Sequence, residues 1–129
     1  MSDESTVSWR FPRVRRIKQG RDFMRAKSQG RRLTQGCLVA NWLALPPGAP
    51  SRLGVITGRK IGSAVVRARA RRLLREAFRL HQHDRAQPLD LVLVARPSIV
   101  GKTYASVESD FMSALGRAHL LKTRPSVQE

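Results

Sequence analysis

The sequence predicts a small mixed α/β domain, an α+β two-layer sandwich in the order helix, three strands, helix, strand, helix. Three observations carry this. Leu89 to Ala95 is a nearly continuous apolar run, as in strands covered on both faces. Gly62 to about His81 keeps an apolar stripe at helical spacing although six of its other positions are arginine. Ahead of that helix, Pro and Gly clusters cut the chain into short aliphatic segments of strand length.

The elements follow in order. Met1 to about Val7 is a polar tail, and Trp9 with Phe11-Pro12 is expected to tack the next segment to the core. Gln19 to Ser28 reads as a short helix with Phe23 and Ala26 facing inward and Gly30 stopping it. Gly20 near its start is a weak helix former. A short strand is expected near Arg32 to Gln35, and a longer one from Cys37 to Leu45, closed by Pro46-Pro47-Gly48. Leu53 to Thr57 is the third strand. After the main helix and the Leu89–Ala95 strand, Thr103 caps a last helix with Tyr104, Val107, Phe111, Leu115 and Ala118 on one side. From Lys122 the chain reads as a loose tail, with the core about 11–120 in one domain over 1–129. Only the segment from Leu53 to Ala95 is long enough for a parallel strand–helix–strand crossover.

Charge narrows the function. The 129 residues carry a formal net charge of +16. Arg10 to Arg32 holds ten cations against Asp22, and Arg52 to Arg79 holds nine against Glu76. Leu33 to Ser51 between them is almost uncharged. Charge of that size opposes compaction and attracts polyanions. Arginine outnumbers lysine in both blocks, and its planar fork suits phosphate oxygens and base faces, which favours nucleic acid over a membrane. Cys37 is the sole cysteine, so an intrachain disulfide is impossible and a small buried hydrophobe is the natural role. No apolar segment is long enough to span a membrane, and the start of the chain lacks a signal pattern, so a cytoplasmic location is expected.

In the main helix, Val66, Ala70, Leu73, Leu74 and Ala77 gather on one arc, bordered by Phe78. Arg69, Arg71, Arg72, Arg75 and Arg79 spread over the opposite side, with Arg67 at the boundary. Like charges at Arg67–Arg71, Arg71–Arg75 and Arg75–Arg79 each destabilise an isolated helix by a few tenths of a kcal/mol, roughly. A solvated charged face usually mixes signs; here Glu76 is the only acid, so contact with phosphates is favoured. Gly62 and Ser63 at the helix start leave backbone N–H groups beside Arg59 and Lys60, a phosphate seat or a plain Ser63 cap in equal measure. The spacing of a phosphate-binding P-loop is absent.

Hydrolytic chemistry by the protein itself has little support. His81, His83 and Asp84 have no matching ligands at metal spacing, and helix-terminal histidines are common beside the negative end of the dipole. The nine carboxylates are scattered, unlike the clusters that hold two metals in nucleases.

The block Gly58–Arg79 resembles the signature of the protein subunit of bacterial ribonuclease P. The residues are Arg59-Lys60-Ile61-Gly62-Ser63-Ala64-Val65-Val66-Arg67-Ala68-Arg69, then Ala70-Arg71-Arg72-Leu73-Leu74-Arg75-Glu76-Ala77-Phe78. The similarity extends to Arg21-Asp22-Phe23, to Arg52-Leu53-Gly54-Val55, and to Asp90 through Pro97, and covers roughly Phe11 to Leu120. It implies the fold of the second domain of ribosomal protein S5, with a left-handed βαβ crossover that breaks the usual right-handed rule. It implies a non-catalytic subunit that binds a catalytic RNA using Mg²⁺ and that contacts precursor tRNA, with no metal site of its own. Carried over by position, Arg59, Lys60, Arg67, Arg69, Arg71, Arg72 and Arg75 face the catalytic RNA. Phe23, Lys27 and Asn41 fall at the cleft for the 5′ leader. Ala68 stands where Asn is usual and Gly58 where Ser is common. Lys27 and Asn41 replace frequent aromatics, and Trp42 points to the other face of its strand. The cleft is therefore expected to use more charge and less stacking.

The alternatives are a general or ribosomal-type RNA-binding module without a processing role, a DNA-binding regulator and a protein-only nuclease. No short helix precedes Gly62 at helix-turn-helix spacing, so DNA is not an expected partner.

Overall fold

Hydrophobic periodicity and turn chemistry produce seven principal elements. The computed structural model describes residues 16–17, 20–81 and 87–121. Helix α1 spans Gly20–Gln29, strands β1, β2 and β3 span Arg31–Gln35, Leu38–Ala44 and Arg52–Ile56, and helix α2 spans Ala64–Leu80. Strand β4 spans Leu89–Ala95 and helix α3 spans Tyr104–Arg117. Short 3-10 turns at Arg59–Ile61 and Pro97–Ile99 follow β3 and β4. The expected element order is therefore the observed one. Trp9, Phe11, Pro12, Gln19, His83, Asp84 and the tail from Lys122 lie outside the described residues.

Local signals account for the boundaries. Ser63 and Thr103 are extended N-caps whose hydroxyls accept from the Val66 and Ser106 N–H groups, each satisfying a helix-end donor. Cys37 belongs to a turn rather than to the strand expected to begin with it. Gln35 pairs with Leu38, and Gly36 at φ 53° reverses the chain in a two-residue hairpin.

The sheet runs β1-β2-β4-β3. Its first two pairings are antiparallel, and β3–β4 is parallel, joined across α2. Because strand side chains alternate, the sheet has two apolar faces. Leu38, Ala40, Trp42, Leu53, Leu91 and Leu93 pack with Leu74 and Phe78 of α2 and Phe111 and Leu115 of α3 in the main core. On the opposite face, Ala26 of α1 packs with Ile17 and Val92, flanked by Phe23, Ile56 and Val94. Trp42 thus points away from α1, as alternation requires. Two backbone approaches demand glycine: a Cβ at Gly30 would lie inside contact distance of the Trp42 carbonyl, and one at Gly54 would meet the Phe23 ring.

An ion-pair chain fixes α1 over the sheet. Asp90 on β4, 1% exposed, accepts two hydrogen bonds from Arg52 on β3, at 2.8 and 2.7 Å. Arg52 also reaches Asp22 at 3.4 Å, and Asp22 pairs with Arg25 at 3.2 Å. The hydrogen bonds to Asp90 hold the Arg52 proton more firmly than usual, against the opposing effect of burial.

Candidate nucleic-acid interface

The arginines of α2 lie on the side that the core leaves free. Ala70, Leu74, Ala77 and Phe78 are buried, which turns Ala68, Arg72 and their neighbours outward. Arg71, Arg72 and Arg75 line a groove of about 360 Å³ together with Arg16, Ala68, Glu76 and Arg79. Ala68 widens this groove, because a methyl stands where a longer side chain would project.

The seven cations are not equivalent. Arg71 is anchored, its Nη1 donating to Thr57 Oγ1 at 2.8 Å. Arg69 Nη2 donates to the Lys102 carbonyl at 2.9 Å, on the flank nearer α3. Arg72 is exposed, as are Arg59 and Lys60 on the 3-10 turn. Arg67 is half-buried, and its Nε lacks a hydrogen-bond partner among the described residues. Burial without a partner is a cost the fold must carry at that position. Arg79 is paired with Glu76 at 2.6 Å. Arg75 makes no hydrogen bond or ion pair among the described residues. Its guanidinium loses its proton more readily than usual, first through burial, then through repulsion by Arg16 and Arg71.

A second cavity, of about 250 Å³, opens at the β3 edge. Phe23 borders it from the α1 face, Arg75 from the α2 face, and Arg16, Ile17 and Gly54 lie between. The Ile17 N–H donates to the Leu53 carbonyl at 2.9 Å, so the 16–17 segment runs along this otherwise open edge. Arg16 and Arg75 line both the cavity and the α2 groove, so the two hollows share these walls beside β3. A further groove, of about 470 Å³, leads from Ile56 and Val94 to Arg59 and Lys60.

Of the residues expected at the cleft, Phe23 lines the cavity. Lys27 is exposed further along α1 and does not line it. Asn41 is 3% exposed, paired in register with Arg32 and Val92, and lies within the sheet rather than on the cavity wall. Sequence reasoning missed Arg16 and Thr57. Arg16 had a signal, its place in the first basic block; Thr57 had none, because its role appears only when β3 and α2 pack.

The anticipated phosphate seat at the start of α2 is partly spent. The Gly62 N–H donates to the Arg59 carbonyl at 3.1 Å, and the Val66 N–H to Ser63 Oγ at 3.4 Å. His81 caps the C-terminal end of α2, with its Nε2 2.7 Å from Glu108 Oε2. The described carboxylates are all engaged: Asp22, Asp90, Glu76 and Glu108 with cations or His81, and Asp110 with the Cys37 N–H.

Comparison with known proteins gives a consistent answer. The Ribonuclease P family model matches residues 11–119. The ribonuclease P protein component of Gluconacetobacter diazotrophicus is 38% identical over 109 residues, covering 82% of this chain and 92% of that protein. That of Brevibacillus brevis is 32% identical over 113 residues, covering 88% and 90%. Among solved structures, the Staphylococcus aureus RNase P protein superposes with a TM-score of 0.76 at 25% identity, over 84% of this chain and 98% of that one. The Thermotoga maritima RNase P protein gives 0.70 at 26%, over 79% and 96%. With a match to nearly its whole length, in both sequence and fold, the chain belongs to the ribonuclease P protein family.

Proposed function

We propose that this chain is the non-catalytic protein subunit of ribonuclease P, assisting endonucleolytic 5′-end maturation of tRNA. It binds the catalytic RNA through the outer face of α2 and receives the 5′ leader of precursor tRNA beside Phe23. The observation that carries this reading is that Arg16 and Arg75 are walls of both the α2 groove and the cavity beside Phe23. One molecule thereby offers a phosphate-binding groove and an aromatic-walled cleft side by side, suited to two RNA strands held together. Mg²⁺ is the RNA's ion in this scheme, and the protein lowers the amount needed by neutralising phosphates that would otherwise repel. Family membership and the element order favour this over a general RNA-binding module.

Reconstitution tests it. The protein is added to a bacterial ribonuclease P RNA and precursor tRNA at low Mg²⁺. The expected result is restored cleavage, with tighter binding of substrates that carry a leader than of leaderless ones. No rescue of cleavage would overturn the assignment; rescue indifferent to the leader would overturn the role given to the Phe23 cleft.

A further inference from the structure

The other flank of α2 carries an apolar slot that the two RNA paths above do not use. Val65, Val66 and Ala70 form one wall, Ile99 and Val100 the other, and Arg69 closes the rim. Val65 is 79% and Val100 51% exposed, two of the three large hydrophobic side chains left exposed among the described residues. Its volume is about 220 Å³. That lies below the roughly 300–1,000 Å³ of sites for drug-sized ligands, so the slot suits a single small ring system.

Charge selects the occupant. No acid among the described residues lines the slot. Its polar margin is the Arg69 guanidinium, held in place by the Lys102 carbonyl at 2.9 Å. A second copy of a chain with net charge +16 would bring more cations to this rim. An RNA offers both needed groups: an apolar base face for the valines and a phosphate for Arg69. Proteins that extrude a base hold it between aromatic or apolar side chains, and this slot offers apolar ones.

We propose that the slot between Val65 and Val100 receives one unstacked nucleobase of the RNA bound by α2, with the Arg69 guanidinium on that nucleotide's phosphate. This rests on the RNA-facing reading of α2 and adds a contact that is not electrostatic. Arginine–phosphate contacts set the salt dependence of binding, whereas an inserted base contributes affinity almost independently of salt.

The test is Val65→Ala with Val100→Ala in the full chain, titrated against ribonuclease P RNA at several salt concentrations. Both side chains are largely exposed, and alanine is the better helix former at position 65, so the fold should be retained. The expected result is about tenfold weaker binding with an unchanged salt slope, as loss of the buried valine methyl groups implies. One nucleotide protected from dimethyl sulfate by the wild type should become reactive in the variant complex. Wild-type affinity and an unchanged modification pattern would overturn the slot while leaving the α2 reading intact. A salt slope unaffected by Arg71→Ala with Arg75→Ala would instead sink the α2 reading. Concentration-dependent self-association of the wild type, lost in the valine variant, would assign the slot to a second copy and overturn the proposal.

Discussion

Phe23 closes over Gly54 so tightly that β3 has no room there for a side chain: a Cβ at Gly54 would lie 2.5 Å from Phe23 Cε1. The ring is held between α1 and the sheet, where it forms the aromatic wall of the β3-edge cavity. Gly54→Ala should therefore cost about 1–3 kcal/mol, as overpacking does. In a Phe23→Ala background the same change should cost much less, because the obstructing ring is gone. A double-mutant cycle by urea denaturation reads the difference, and additive effects would argue against this contact. Phe23→Ala alone should weaken binding of leader-bearing precursor tRNA by about tenfold and leave leaderless tRNA unaffected.

The buried Asp90 is a second fixed point. Asp90→Asn leaves Arg52 with a neutral partner inside the sheet, and breaking such pairs typically costs about 3–5 kcal/mol. The lower end applies here, because the Arg52 side chain is 27% exposed and can recover some water. Thermal unfolding gives the loss. The variant should also weaken leader binding, since the Arg52–Asp22 contact ties the first turn of α1 to β3.

Arg71→Ala with Arg75→Ala should separate binding from folding. Arg75 is desolvated and repelled by Arg16 and Arg71, so its removal relieves strain on the free protein. The lost Arg71–Thr57 hydrogen bond offsets that relief, so stability should fall by no more than about 1 kcal/mol. Each lost phosphate contact should reduce the slope of log K against log salt by about 0.7–0.9, and the Mg²⁺ needed for precursor cleavage should increase. An unchanged Mg²⁺ requirement in a folded variant would remove these two residues from the interface.

Alkaline pH should destabilise the fold through Cys37. Burial, helped by Asp110, raises its thiol from 9.0 to about 11. The folded state holds this proton more tightly than the unfolded one, so its contribution is complete below pH 9 and is lost between pH 9 and about 11. The loss is of order 2–3 kcal/mol. Tyr104, raised to about 12 first by burial and then by Glu108, adds a smaller fall between pH 10 and about 12, because solvent screens this partly exposed group. Unfolding midpoints across pH 8–11 should drop less steeply in Cys37→Ala than in the wild type.

Much of the fold was legible because its signals are local. The Leu89–Ala95 strand appears with the boundaries its apolar run implied, and Ser63 and Thr103 cap the helices they precede. The α2 stripe was readable from period alone, since one helix face must be apolar to pack and the arginines then have only the other. The cleft was harder. Phe23 lines the β3-edge cavity, yet neither the depth of Asn41 in the sheet nor the absence of Lys27 from the cavity wall follows from their places in the chain. Both depend on how α1 lies across β2 and β4.

The sequence by itself determined the element order, the family and a helix with a one-sided arginine face, because periodicity, caps and charge runs act over a few residues. Only the tertiary structure decided which arginines work together. The strand order β1-β2-β4-β3 puts β3 at an edge, so that Arg16 and Arg75, far apart in the chain, together wall both hollows beside it. The same order pairs Arg52 with Asp90 and seats Phe23 on Gly54. Such contacts depend on which strands become neighbours and which face each side chain takes, and no local pattern encodes that.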